Sequence, residues 1–283
     1  MSICEHRPVA LVTGASAGFG LHCSIELAKR GFLVVAAMRD PAGRGAALTH
    51  MAAREGVGER IAAAKLDVTD AEQIEGVVRG VVERYGRIDV LLNNAGYAQG
   101  GFVEDVPLES FREQFETNVW GLIAMTKAVL PYMRERRSGT IINMSSVSGR
   151  LGLPGFAPYA ASKFAVEGFS EALRLELRPF GVHVVLIEPG SYRTDIWAKG
   201  FARMAGDETS PYASMLERVK RAAERSARAG GDPRDVARLA ARAASARRPK
   251  LRYALPASAA LLPVAKALLP WSLIERAIGR ALR

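Results

Sequence analysis

Tyr159 and Lys163 stand four residues apart, a spacing that sets an ammonium beside a phenol on one face of a helix. A free phenol loses its proton near pH 10 (about that value in model peptides), and a nearby positive charge favours the phenolate. Tyr159 is thus expected to protonate a carbonyl oxygen in a reduction and to deprotonate an alcohol in an oxidation, with Lys163 tuning it. Ser146 offers a hydroxyl to the same oxygen, the kind of donor that stabilises developing charge. Taken singly, each has a plainer use, as a packed core tyrosine or a serine in a turn.

A second constellation lies near the start of the chain. Thr13-Gly14-Ala15-Ser16-Ala17-Gly18-Phe19-Gly20 follows a short β-branched run and opens a segment rich in Ile, Leu and Ala. Glycine lets the chain turn tightly and lets backbone N–H groups approach a pyrophosphate, whose charge the positive end of a helix favours. The Gly-x3-Gly-x-Gly spacing differs from the commoner dinucleotide motif. The next strand-like run ends in Met38-Arg39-Asp40, where dinucleotide folds hold the ribose with an acid or accommodate a 2′-phosphate with an arginine. Arg39 favours NADP(H); an Asp40 turned to the ribose would favour NAD(H).

Such residues need a scaffold, and the hydrophobic patterning supplies one. Strands are expected at Val9–Thr13, Leu33–Ala37, Ile61–Leu66, Val90–Asn93, Thr140–Met144, Val182–Glu188 and Lys250–Ala254, with helices near 18–30, 42–55, 70–85, 108–136, 157–179 and 233–247. Alternation of the two implies right-handed βαβ crossovers: an α/β, doubly wound parallel sheet of the Rossmann type, in one domain over residues 1–283. Two segments break the rhythm. Residues 191–231 hold Tyr192, Trp197, Phe201, Met204, Tyr212 and Met215, which suits a flap over an apolar ligand; the alternative is an ordinary helical insertion. The extension 255–283 ends in an amphipathic helix from Trp271, expected to dock on the body or on a second subunit, with a membrane surface the lesser alternative. Tyr253–Pro270 is apolar, but its prolines at 256, 263 and 270 argue against a spanning helix.

Composition narrows the function classes. With 49% hydrophobic and 24% charged residues the chain of 283 residues matches a folded domain. Its two cysteines, Cys4 and Cys23, are too few for a disulfide framework and sit in no metal-ligating cluster, which fits a reducing, cytoplasmic setting. No apolar signal segment precedes Pro8. The net charge of +10 resides late in the chain, where residues 218–252 hold twelve basic and three acidic side chains. Arg234, Arg238 and Arg242 form a helical stripe, but no nucleic-acid motif accompanies it, so a solvated face is expected and no nucleic-acid partner.

Thr13–Gly20, Asp67-Val68, Asn93-Asn94-Ala95-Gly96, Asn118, Ser146, Tyr159-x-x-x-Lys163, and Pro189-Gly190 with Thr194 occur in the order and spacing of the short-chain dehydrogenase/reductase family. Across roughly residues 8–195 the chain resembles the compact, non-extended branch. The stretch Val147–Ala165 looks most similar to ketosteroid- and retinal-reducing members such as 17β-hydroxysteroid dehydrogenases. Phe19 stands where the family more often has isoleucine, and Ala17 where many NADP-preferring members carry a basic residue.

The resemblance implies an NADP(H)-dependent oxidoreductase in which Asn118, Ser146, Tyr159 and Lys163 are catalytic, Asn118 belonging to a proton relay. It implies coenzyme contacts from Gly14, Ser16, Gly18, Phe19, Gly20, Arg39, Tyr159 and Lys163, with Asp67 and Val68 at the adenine. Asn94, Ala95 and Gly96 would line the adenosine half, and Pro189, Gly190 and Thr194 the nicotinamide. It also implies a homo-oligomer paired through the two long helices. The expected substrate is a fairly large apolar ketone, aldehyde or alcohol, from the flap aromatics with Tyr97, Phe102, Leu151, Leu153 and Phe156. The competing readings are an NAD-linked alcohol dehydrogenase and a non-catalytic NADP-sensing protein.

Overall fold

In the computed structural model, which describes residues 7–282 other than 195, 197–199, 201 and 207, each expected strand forms within two residues of its expected limits. The order is β1 (Val9–Thr13), α1 (Gly18–Lys29), β2 (Leu33–Met38), α2 (Ala46–Arg54), β3 (Ile61–Lys65), α3 (Ala71–Tyr85) and β4 (Val90–Asn93). Then follow α4 (Leu108–Phe115), α5 (Gly121–Glu135), β5 (Gly139–Met144), α6 (Ala157–Leu177), β6 (Val182–Pro189), α7 (Ala213–Arg228), α8 (Pro233–Ala244) and β7 (Arg252–Leu255). Two short helices, α9 (Leu262–Leu268) and α10 (Trp271–Ala281), complete the chain.

The strands make one parallel sheet in the order β3-β2-β1-β4-β5-β6-β7. Central strands covered by helices on both faces need apolar residues at successive positions, and β1 is buried from Val9 to Thr13. Leu11 pairs with Val35 on one side and Leu91 on the other. One face packs on α1, α2 and α8 through Ile25, Leu48 and Val236; the opposite face packs on α3, α5 and α6 through Val78, Met125 and Leu173. Burying side chains of this size contributes roughly 1.5–3 kcal/mol each. The sheet grows outward from β1 in one direction and from β4 in the other, so a crevice opens between the loops that follow these two strands, where ligands of open α/β sheets bind.

Three expectations change. The helix expected over 108–136 is two helices joined by a wide π-type turn, Glu116–Trp120. The turn lets Gln114 and Asn118 serve the loop after β4 while Met125, Val129 and Met133 serve the sheet. The 191–231 segment, read as a flap, contains α7, which buries Leu216, Val219 and Ala223, so its second half is a packed helical insertion. Trp197 and Phe201, two of the flap aromatics, lie outside the described residues. Finally, α10 buries none of its residues fully, Ile274 and Ile278 being half-buried, so its apolar face is left largely open within the single chain.

Candidate active site

The loop after β1 has the backbone its glycines permit. Gly14 and Gly18 adopt φ of +65° and +54°, the left-handed region that side chains disfavour. A methyl group on Gly20 would collide with the Gly14 carbonyl and the Asn94 amide. α1 follows Ala17, which offers no side-chain cap, and has no acid in its first turn, so its N-terminal amides and dipole are left for an anion. Thr194 lies against Gly18, 3.6 Å from where its Cβ would be, which brings the loop after β6 to the phosphate end of the crevice. Phe19 packs edge-on against Tyr192, with ring centres 5.8 Å apart.

This loop is held from across the crevice. Asn94 Nδ2 donates to the carbonyls of Thr13 at 2.9 Å and Gly14 at 3.1 Å, while the Thr13 hydroxyl accepts from the Asn94 and Ala95 amides. Asn94 is therefore a staple for the glycine loop, its side-chain amide spent on the Thr13 and Gly14 carbonyls. Asp67 Oδ1 accepts from the Thr69 amide and hydroxyl, which shapes the turn after β3, and Val68 is buried behind it against Gly121. At the end of β2, Asp40 caps its own turn, accepting from Gly43 N at 2.9 Å, while Arg39 is exposed. These residues fit a dinucleotide: a cradle too tight for a Cβ, an uncapped helix start, and an exposed cation at the end of β2.

At the other end of the crevice the expected proton-transfer groups converge. Ser146 follows β5, and its hydroxyl accepts from Ser148 N at 3.1 Å and hydrogen-bonds the Tyr159 side chain. Tyr159 and Lys163 project from the first turns of α6, with Lys163 Nζ 5.7 Å from the Tyr159 ring centre. Lys163 Nζ also donates to the Met144 carbonyl at 2.7 Å, and burial, opposed by Glu167, lowers its pKa to about 8. The phenol departs from expectation. Burial raises the pKa of Tyr159 above its ordinary value, and only the hydrogen bond from Ser146 pulls it back. The lysine is directed to the Met144 carbonyl rather than to the phenol oxygen, so the phenol stays protonated at neutral pH.

Asn118, in the wide turn, is buried. Its Oδ1 accepts from Tyr97 N at 3.1 Å, and its Nδ2 donates to Tyr97 O at 3.0 Å and Ser162 Oγ at 3.2 Å. It thereby joins the loop after β4 to the residue before Lys163. Pro189 and Gly190 border Ser146 from β6: Ser146 Oγ lies 3.4 Å from the Pro189 carbonyl, and Gly190 N donates to Leu255 O.

Two sets of residues escaped the sequence reading. Gln99 and Gln114 are both buried; Gln99 N donates to Gln114 Oε1 at 2.7 Å, and Gln99 Nε2 donates to Arg203 O at 2.6 Å. They tie the loop after β4 to the start of the 191–231 segment, where Arg203 also stacks over the Tyr97 ring. Phe102 stacks on Tyr212, with ring centres 4.9 Å apart, so two expected apolar lining residues do meet. The second set is ionic. Glu167, four residues past Lys163 and so on its face of α6, is buried and shares Arg252 Nε with Glu188, each oxygen 3.0 Å away. Arg150 approaches Glu167 at 3.3 Å, and Glu171 pairs with Arg252. Burial and the neighbouring Glu167 push Glu188 up to about 7, against the pull of Arg150 and Arg252. Extending the i, i+4 logic one turn past Lys163 finds Glu167; nothing local points to Arg252.

The late arginine stripe resolves as a solvated face. Arg234 pairs with Asp232, and Arg238 with Asp235, all partly exposed. His183 sits in β6, where burial lowers its pKa.

A parallel sheet in this order, a glycine loop at its switch point and a Tyr-Lys pair facing a serine define a nucleotide-linked oxidoreductase. The family model described as short chain dehydrogenase matches residues 8–205, and the chain belongs to that family. An uncharacterized oxidoreductase, YusZ, of Bacillus subtilis is 43% identical over 98% of this chain and 99% of its own. A 3-ketodihydrosphingosine reductase of Bacteroides thetaiotaomicron is 38% identical over 81% of this chain and 80% of its own. Among solved structures, a short chain dehydrogenase/reductase from Burkholderia phymatum in complex with NAD aligns with a TM-score of 0.79 at 27% identity, covering 97% of this chain and 96% of that one. The protein is accordingly a hydride-transfer oxidoreductase that uses a nicotinamide cofactor.

Proposed function

We propose that the protein is an NADP(H)-linked reductase of a fairly large apolar ketone or aldehyde, able to run in reverse on the alcohol. The observation that carries this reading is the convergence of Ser146, Tyr159 and Lys163 at the carboxyl end of β5. A bound nicotinamide supplies the hydride. The substrate oxygen then lies between the Ser146 hydroxyl and the Tyr159 phenol; Ser146 orients it and Tyr159 delivers the proton. Lys163, anchored on Met144 O, places positive charge beneath the developing negative charge and holds the ribose. Asn118 is committed through its amide to Tyr97 and Ser162, so its part in the relay is to hold the loop and α6 in register. The loop after β4 and the described residues between 191 and 212 form the substrate enclosure, Tyr97, Phe102 and Tyr212 giving it aromatic walls. The name of the Bacteroides relative, a 3-ketodihydrosphingosine reductase, supports a carbonyl substrate with an apolar body.

NADP(H) is favoured by Asp40 being spent on Gly43 N, which leaves the exposed Arg39 to meet a 2′-phosphate. The NAD held by the Burkholderia relative favours the runner-up. A panel of carbonyls and alcohols run with both coenzymes tests the two together. Arg39→Ala should raise the KM for NADPH about tenfold or more while leaving NADH unchanged, since a charged hydrogen bond is worth roughly 1.5–3 kcal/mol. An equal effect on both coenzymes would sink the phosphate assignment. Tyr159→Phe should keep NADPH binding and lower kcat between about a hundredfold and ten thousandfold. Full turnover in that variant would remove Tyr159 from the mechanism, and tight NADPH binding with no turnover by the wild type on any carbonyl would favour a sensor.

A further inference from the structure

Among the described residues, nothing fully buries any part of the segment 257–281. Across Ala257–Leu268 and Trp271–Ala281 no residue is buried. Leu261, Val264 and Leu268 recur at i, i+3 and i+7, one helical stripe, and are 65%, 52% and 76% exposed. Lys266 lies on the other side of the same turns and is fixed to the body: its Nζ donates to Arg150 O at 3.1 Å and sits 5.0 Å from the Phe164 ring centre. The clamp on one side turns the apolar stripe outward. Leu269, Trp271 and Leu273 continue it, all close to half exposed. On α10 the apolar arc is bordered by Arg276 and Arg280, both exposed, with Glu275 the single acid of that helix.

We propose that α9 and α10 form a docking surface for an anionic lipid bilayer, lying in its interface without crossing it. The described residues contain no helix long and apolar enough to span a membrane. A cationic edge beside leucines and a tryptophan is the pattern of helices that lie in the headgroup region, apolar face down and arginines toward lipid phosphate. Charge selects among occupants. In a two-fold contact each patch meets its own copy, which sets Arg276 and Arg280 against their like; an anionic leaflet meets them with opposite charge. The position has a use. Arg150 follows the Ser146 segment, and Leu255, at the start of this extension, accepts from Gly190 N, so the surface borders the carboxyl edge of the sheet where substrate enters.

Flotation of the full chain with vesicles of phosphatidylcholine alone, or mixed equally with phosphatidylglycerol, tests it, with sedimentation velocity run in parallel. The wild type should float with the anionic vesicles at low salt, weakly with the neutral ones, and be released by salt. Arg276→Glu with Arg280→Glu should weaken binding by at least about thirtyfold, from roughly fivefold per basic residue near the surface. Leu261→Asp with Leu268→Asp should abolish it while NADPH binding and thermal melting stay unchanged, both sites being exposed. Failure of the wild type to float, or flotation indifferent to either double variant, overturns the proposal. So does a leucine double variant that halves the sedimenting mass in the absence of any vesicle binding by the wild type, which would make a second copy the occupant.

Discussion

The raised pKa of Tyr159 and the lowered pKa of Lys163 divide the labour between two residues that sequence spacing alone paired more simply. Both shifts come first from burial, which disfavours charge on either group. A phenol that keeps its proton through neutrality is ready to give it, so reduction should be supported up to about pH 8, where Lys163 loses its charge, and decline above. Oxidation needs the phenolate and should climb into the alkaline range. Profiles of kcat/KM against pH in both directions check this, and Lys163→Arg should remove the inflection near 8 from reduction. A reduction rate that rises steadily beyond pH 8 would contradict it. At this scale the proximity of the candidate groups was legible, because Tyr159 and Lys163 are neighbours on a helix. The partners that set their ionisation were not: Met144 O reaches Lys163 from another strand, and Arg252 reaches Glu167 across 85 positions of chain.

At the scale of elements, patterning identified every strand, since continuous apolar runs bounded by glycine and polar residues have few other uses. It failed where a helix serves two masters. Residues 108–136 carry one apolar period, yet Gln114 and Asn118 must satisfy Tyr97 and Gln99 while Met125 and Val129 satisfy the sheet, and the π-type turn reconciles them. Close backbone approach is equally hidden from periodicity. Gly20 belongs to α1 but is shaped by the Gly14 carbonyl and the Asn94 amide. Gly20→Ala should push the loop off Asn94, cost about 1–3 kcal/mol of stability by overpacking, and weaken NADPH binding more than it changes kcat. Calorimetric titration with NADPH beside a thermal melt separates the two effects; unchanged affinity would show that the loop tolerates the methyl.

Over the whole molecule, chemistry and cohesion occupy opposite edges of the sheet. The carboxyl edge carries Ser146, Tyr159 and the glycine loop. At the amino edge Asp89 accepts from Val9 N at 2.8 Å and pairs with Arg87 at 2.5 Å and Arg136 at 3.2 Å, joining β1, β4 and the end of α5. Burial would raise the Asp89 pKa, but these donors outweigh it and hold it below its ordinary value. A depressed folded-state pKa means the stabilisation is present above the unfolded value of about 3.9 and is lost as pH falls through the folded one. Asp89→Asn should therefore lower stability by about 2–3 kcal/mol at pH 7, with the deficit shrinking below about pH 4. Denaturant unfolding at both pH values measures this, and NADPH affinity should not change. An equal deficit at pH 7 and pH 3 would refute the ionic account.

The Gln99–Arg203 link has a consequence for how this scaffold diversifies. The loop after β4 and the segment after β6 are bonded to each other through Gln99 and Ala205, and stacked through Phe102 and Tyr212. They therefore form one unit in two pieces at the carboxyl edge of the sheet. A change of substrate range by grafting must therefore carry both pieces at once, for either alone would arrive with its anchor missing.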